Sequence, residues 1–415
     1  MPLSHWKQLS VPVIVLMVAA CGGGGGGGTS SGAASGPQSQ VAASGTITGF
    51  GSVIVNGVHY DESRAEIKLD DSINGNIGGK DDLRVGMVVD IEGSLEADGS
   101  SKATRIAFEN RVRGFIESIN AAAGTFKVMG QTVVVGGRTV FEHKDTLATL
   151  KVGDAVAVSG HEGSPDANGN RPILATRIEK KPAGFSGVLK VKGVVSKHNK
   201  AARTFQINEL LVNYGGAQPG GLSELVKDGM IVDVKGSTPP VPLAGGTFHP
   251  ELVVAKSAGM NVAEGVRIEV EGYISDYVSA ADFKVNGVPV DASAAGLTGL
   301  KNGVRVELKG TMVNGKLVVR DSQHGHAEDD SDSKSELKGQ VSRVDATDGS
   351  IMVAGKQLIV SSTTVFKDEE REDRFFALKS IRVGDYVEVS AYQDKNGQWV
   401  ATKVERKAPE SGNRD

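Results

Sequence analysis

Cysteine is nearly absent: the 415 residues contain one, Cys21. The chain can therefore hold no internal disulfide, no thiolate metal site and no cysteine nucleophile in its folded part. Aromatics are only 5% of residues, and of the two tryptophans Trp6 stands in the opening segment, leaving Trp399 for everything after it. Stacking platforms for single-stranded nucleic acid are thus scarce. A net charge of −4 supplies no basic field for a phosphate backbone, so nucleic acid is not an expected partner. The apolar run at 11–18, interrupted by Pro12, is too short to span a bilayer. No serine elbow, zinc-binding helix or paired carboxylates in an apolar setting is found, and no enzymatic activity is expected.

Glycine is abundant instead, with 55 copies. Many glycines and few aromatics fit short strands joined by tight turns, which points to an all-β protein. His5 and Lys7 precede the 11–18 run, the layout of an export signal. That segment ends Val18-Ala19-Ala20-Cys21, which resembles the bacterial lipobox. The resemblance implies a signal peptide over 1–20, lipidation of Cys21, a membrane anchor, and sorting to the outer membrane with the rest facing the periplasm or the cell surface. Several acyl chains make a stable anchor where one is marginal. Residues 21–44 open with seven consecutive glycines at 22–28 and continue in Ser, Ala, Gly and Gln, the composition of a flexible tether.

A repeat follows. A glycine, an aliphatic three residues on, another five on and a second glycine seven on recur from Gly86, Gly153, Gly229, Gly303 and Gly384, with Ala391 replacing the final glycine of the last copy. Alternation after the first glycine predicts a strand with one buried face. Before each copy lies a short leucine-bearing stretch, such as Leu147 and Leu150, whose three-residue spacing predicts a short helix. Further upstream an aliphatic-x-Gly-x-aliphatic pattern recurs at Gly114, Gly193, Gly272 and Gly339, with Gly45 and Ile47 in the first copy. Hairpin signals such as Asn286-Gly287 lie between these landmarks. The third copy lacks the closing hairpin and carries a proline-rich insertion at 239–242.

The expected fold is a tandem array of five small five-stranded barrels like the oligonucleotide/oligosaccharide-binding (OB) barrel, each with a short helix between strands three and four. Modules one to five span 45–111, 112–181, 187–260, 266–320 and 336–407. An acidic, His-containing linker fills 321–335, and 408–415 is a disordered tail. The pattern, above all Val152-Gly153-Asp154 and Val383-Gly384-Asp385, resembles repeat modules known mainly from bacterial lipoproteins and classified as a domain of unknown function. That resemblance implies the fold and no catalytic residues.

Candidate sites are few. Asp321, His324, His326 and Glu328 put two imidazoles beside carboxylates, a divalent-metal candidate that is also readable as a solvated hinge. Asp166, Asn168 and Asn170 mimic the start of a calcium loop, yet Arg171 takes the required glycine position, and a hairpin tip explains them as well. Tyr273, Tyr277, Tyr392 and Trp399 are candidate ligand-stacking rings, whereas Phe126, Phe141 and Phe205 alternate as core residues do. The charge-dense stretch 368–373 before Phe375 and Phe376 reads as an amphipathic helical insertion. The leading expectation is a non-enzymatic, lipid-anchored envelope protein whose modules act as spacer or interaction surface toward an envelope protein or polysaccharide. A carbohydrate- or metal-binding lipoprotein is the second, and an envelope enzyme of unrecognised type the third. No cofactor is expected beyond the lipid and that candidate metal.

Overall fold

The five glycines that open the repeat explain its rigidity: Gly86, Gly153, Gly229, Gly303 and Gly384 all have φ between +83° and +95°. An L side chain adopts that region only under strain, so the turn into each of these strands is reserved for glycine. The second repeat glycine has a different cause. A Cβ at Gly93, Gly160 or Gly310 would overlap the carbonyl oxygen of Lys102, Leu174 or Val318 on the neighbouring strand. At Gly93 and Gly160 the register shifts by one residue, a β-bulge that bends the strand.

A computed structural model describes residues 39–219, 226–257, 259–321, 325–328, 335–394 and 396–409. Among them the protein is all-β. In module five the strands are Ser335–Asp345, Ser350–Val353, Lys356–Asp368, Tyr386–Gln393 and Trp399–Arg406, and they close into a barrel in the order first, second, third, fifth, fourth. The third and fifth strands run parallel and the other pairs antiparallel. Modules two and four repeat those five pairings. Module one does so with an added hairpin, Glu66–Leu69 with Asn76–Gly78.

Four expectations are corrected. Among the described residues the short helices are absent: modules one and five have single 3-10 turns at Lys80–Asp82 and Leu378–Ser380, the corresponding stretches of modules two and four are turns, and that of module three, with Leu222 and Leu225, lies outside the described residues. One turn suffices to bring Leu147 and Leu150 against the module-two core. The stretch 368–373 is not helical either: Asp368 ends the third strand, a turn follows at 369–371, and the Asp368 carboxylate accepts from the backbone N–H groups of Glu370, Arg371 and Asp373. Module three does have a fifth strand, split into Thr247–Phe248 and Leu252–Lys256 after the insertion. Within the supposed linker, Gly325–Glu328 is a strand paired with the fourth strand of module four.

The modules are not beads on a string. The first strand of module one begins at Ser39, inside the stretch read as tether, and Val41 to Ser44 pair in parallel with Arg267 to Val270 of module four. Lys190 and Val191 of module three pair with Arg113 and Val112 of module two, and those two modules share one apolar core. Buried charge ties module one to module three: Lys190 and Lys235 both donate to the Asp70 carboxylate, and Lys190 also stands 3.1 Å from Asp233. Module five docks on modules one and two. Arg374 pairs with Asp81 at 2.9 Å and lies over the Phe50 ring, and Lys403 donates to the Thr139 carbonyl at 3.0 Å.

Candidate functional site

The first strand of module one is buried without a break from Ala42 to Gly49. Ala43 and Ile47 face the module's own core, so Ser44, Thr46 and Thr48 point outward by strand alternation and are nevertheless buried. Polar residues buried on an outer face mark a junction, and here modules one, two, four and five meet around a cavity of about 250 Å³.

Thr46 donates its backbone N–H to Glu271 Oε2 at 2.9 Å, and its hydroxyl lies 3.3 Å from Glu271 Oε1 and 3.2 Å from His161 Nε2. Glu271 also accepts from the Arg305 guanidinium, at 3.2 Å from Nε and 2.7 Å from Nη2. His161 Nδ1 meets Asn286 Oδ1 at 2.9 Å. Asn286 Nδ2 donates to the Glu271 carbonyl, which fixes the amide with its oxygen toward the imidazole. Neutral His161 then donates from Nδ1, and its Nε2 shares the single Thr46 hydroxyl proton with Glu271 Oε1. The chain Asn286–His161–Thr46–Glu271–Arg305 is thus a continuous polar relay built from three modules.

Burial by itself would raise the Glu271 carboxyl, but the Arg305 guanidinium, His161 and the Thr46 N–H hold it down at about 2. Burial pushes the His161 imidazole below its ordinary value, partly opposed by Glu271. At neutral pH the relay therefore carries one carboxylate, one guanidinium and a neutral imidazole, and the two charges cancel.

Tyr273 and Tyr392 both line this cavity, with the Tyr273 ring edge-on to His161 at 5.9 Å. Hydroxyls of Thr46, Thr48, Thr363, Ser390 and Thr402 line it as well. Tyr277 instead packs against Phe283 in the module-four core, and Trp399 packs on the module-five core with the Lys356 ammonium 4.0 Å from its ring centroid. Cys21 and His324 lie outside the described residues, as do the side chains of His326 and Glu328; Asp321 is exposed. Among the described residues no cluster of three or more metal-ligating groups occurs. Asp166 caps a hairpin turn by accepting from the N–H groups of Asn168 and Asn170.

Residue chemistry alone did not single out His161, Glu271, Arg305 or Thr46. The repeat register carried the signal: Thr46 and Tyr273 each follow the first-strand glycine, and His161 and Tyr392 each follow the fourth-strand glycine or its alanine replacement. Equivalent positions of different modules converge on one cavity.

Three segments of the chain, residues 44–107, 113–179 and 338–405, match the family model Domain of unknown function (DUF5666). The three matched segments are repeats of one another in this chain and together cover just under half of it. No curated protein matches it. Thr46, Thr48, His161 and Tyr392 fall inside the DUF5666 matches, whereas Glu271, Tyr273, Asn286 and Arg305 come from module four, outside them. The cavity is therefore not a property of one DUF5666 repeat; it exists only where matched modules meet module four.

Proposed function

We propose that this protein is a non-enzymatic, lipid-anchored envelope protein whose assembled modules bind a small, uncharged, polyhydroxylated ligand of the saccharide class in the four-module cavity. The observation that carries the reading is the convergence of Tyr273 and Tyr392, from modules four and five, on a hydroxyl-lined cavity. Tyrosine rings offer an apolar face for a sugar ring and a phenolic edge for its hydroxyls. Because Arg305 and Glu271 neutralise each other, the relay favours neither an anion nor a cation. The strand order matches the OB barrel, an architecture used for oligosaccharides as well as oligonucleotides, and the net charge of −4 disfavours the latter.

Calorimetric titration of the chain lacking residues 1–20 with a panel of neutral mono- and disaccharides tests the reading. Binding by at least one sugar, weakened about tenfold or more by Tyr273→Ala and by Tyr392→Ala but not by Trp399→Ala, is the expected result. A panel that gives no heat, or binding indifferent to both tyrosines, ends it. For the anchor, Cys21→Ser should move the protein from the membrane fraction to the soluble one, and protease treatment of intact cells should report which side the modules face.

A further inference from the structure

A second, larger cavity of about 460 Å³ lies among modules one to four, and His161 lines it as well as the first. Its walls are heavily charged, and nearly every charge has a partner. Glu92 pairs with Arg105 at 2.7 Å, and Glu162 pairs with Arg111 and Arg171 at 3.6 and 3.4 Å. Asp276 holds Arg171 and Lys284, and Glu109 holds Lys192 and Lys256. Those four carboxylates face six basic groups, so the paired walls carry a surplus of positive charge.

Asp90 is the exception. On the fourth strand of module one it points away from that module's core into the cavity, and no basic group among the described residues reaches it within ion-pair distance. Its side chain is open to the cavity, with Ser44 as its hydrogen-bonding neighbour. Asp90 is exposed to this open cavity, and the protein around it pushes its carboxyl above the ordinary range, only partly opposed by Ser44, Lys192 and Arg111.

We infer that this cavity is a binding site for a small zwitterion, a short peptide with free ends, whose ammonium group meets Asp90 and whose carboxylate meets the basic walls beside Lys192 and Arg111. A ligand carrying both charges can place its ammonium at the unpaired Asp90 and its carboxylate on the surplus of basic groups, which a simple cation or a simple anion cannot do together. Val88, Val194, Ile231, Met260 and Val262 supply apolar wall for the remainder of such a molecule. The site is independent of the saccharide reading, because it shares only His161 with the first cavity and uses neither tyrosine.

The test is calorimetric titration of the chain lacking residues 1–20 with L-alanyl-L-alanine, its N-acetyl derivative and its C-terminal amide. The free dipeptide should bind, and blocking either end should weaken it by about tenfold or more, the loss of one charge-assisted contact. Asp90→Asn, a substitution of nearly the same shape, should weaken the free dipeptide to the same degree without lowering the melting midpoint. Absence of binding, equal binding of free and blocked peptides, or an Asp90→Asn protein that binds as well as the parent would overturn the inference. The blocked-peptide comparison needs no variant and stands even if Asp90→Asn fails to fold.

Discussion

Thr46 and Glu271, 225 residues apart, are joined through both the backbone N–H and the hydroxyl of the threonine. Glu271 and Arg305 are each only 3% exposed, so the contact between modules one and four is a dry, charge-assisted one. Removing one member of such a pair strands the other. Glu271→Ala should destabilise the chain by about 3–5 kcal/mol, and pairing it with Arg305→Met should recover part of that loss. Urea denaturation of the two single variants and the double checks this, and strictly additive losses would mean the pair is not coupled.

The same relay sets a pH dependence. The Glu271 carboxyl is lowered in the folded protein, so its contribution is complete above its ordinary value of 4.5 and fades as pH falls toward 2. His161 is a base lowered in the folded protein, so the unfolded chain takes up its proton first, below 6.5. Its contribution is complete above that value and declines as pH drops through the window beneath it. Urea midpoints should therefore fall between about pH 7 and about pH 5, and His161→Gln should flatten that part of the curve. An unchanged slope in the variant would assign the dependence to other groups.

The two repeat glycines should respond differently to alanine. Gly153 has φ of +88° and open space around its missing Cβ, so Gly153→Ala costs backbone strain alone, about 1–2 kcal/mol. Gly160→Ala drives a methyl group into the Leu174 carbonyl and should cost more. Module five has already made room at the equivalent position, where Ala391 sits in its own bulge, so Ala391→Gly should cost no more than about 1 kcal/mol. Thermal melts of the three variants give the ranking directly.

Asp70 offers a test of how far the modules act as one body. Asp70→Asn leaves Lys190 and Lys235 buried without their shared carboxylate and should cost about 3–5 kcal/mol, concentrated at the contact between modules one and three. In calorimetry the parent chain should melt in one main transition, and the variant should show a second, earlier one. A parent profile that is already split would show that the contact does not couple the modules.

Much of this architecture was legible in the chain. The all-β class and the five-fold recurrence follow from Gly86, Gly153, Gly229, Gly303 and Gly384, because a positive φ leaves a compositional trace that few other constraints leave. The helices misread from Leu147 and Leu150 fail because two leucines three apart need only a single turn. Tyr273 and Tyr392 were visible as candidates. His161, Glu271 and Arg305 were not, because within its own module each occupies what reads as a solvent-facing strand position, and only packing between modules buries it. Periodicity describes one barrel at a time; contacts between barrels leave no period.

The parallel ladder between residues 41–44 and 267–270 also dictates an order of events. As the chain emerges from its amino end, the opening strand of the first barrel must wait, one hydrogen-bonding edge unclaimed, until its partner arrives from the fourth. An unclaimed edge is an invitation to other strands. The nascent chain therefore passes through a stage in which its greatest hazard is its own unfinished kin, and any fragment ending before residue 267 is frozen at that stage.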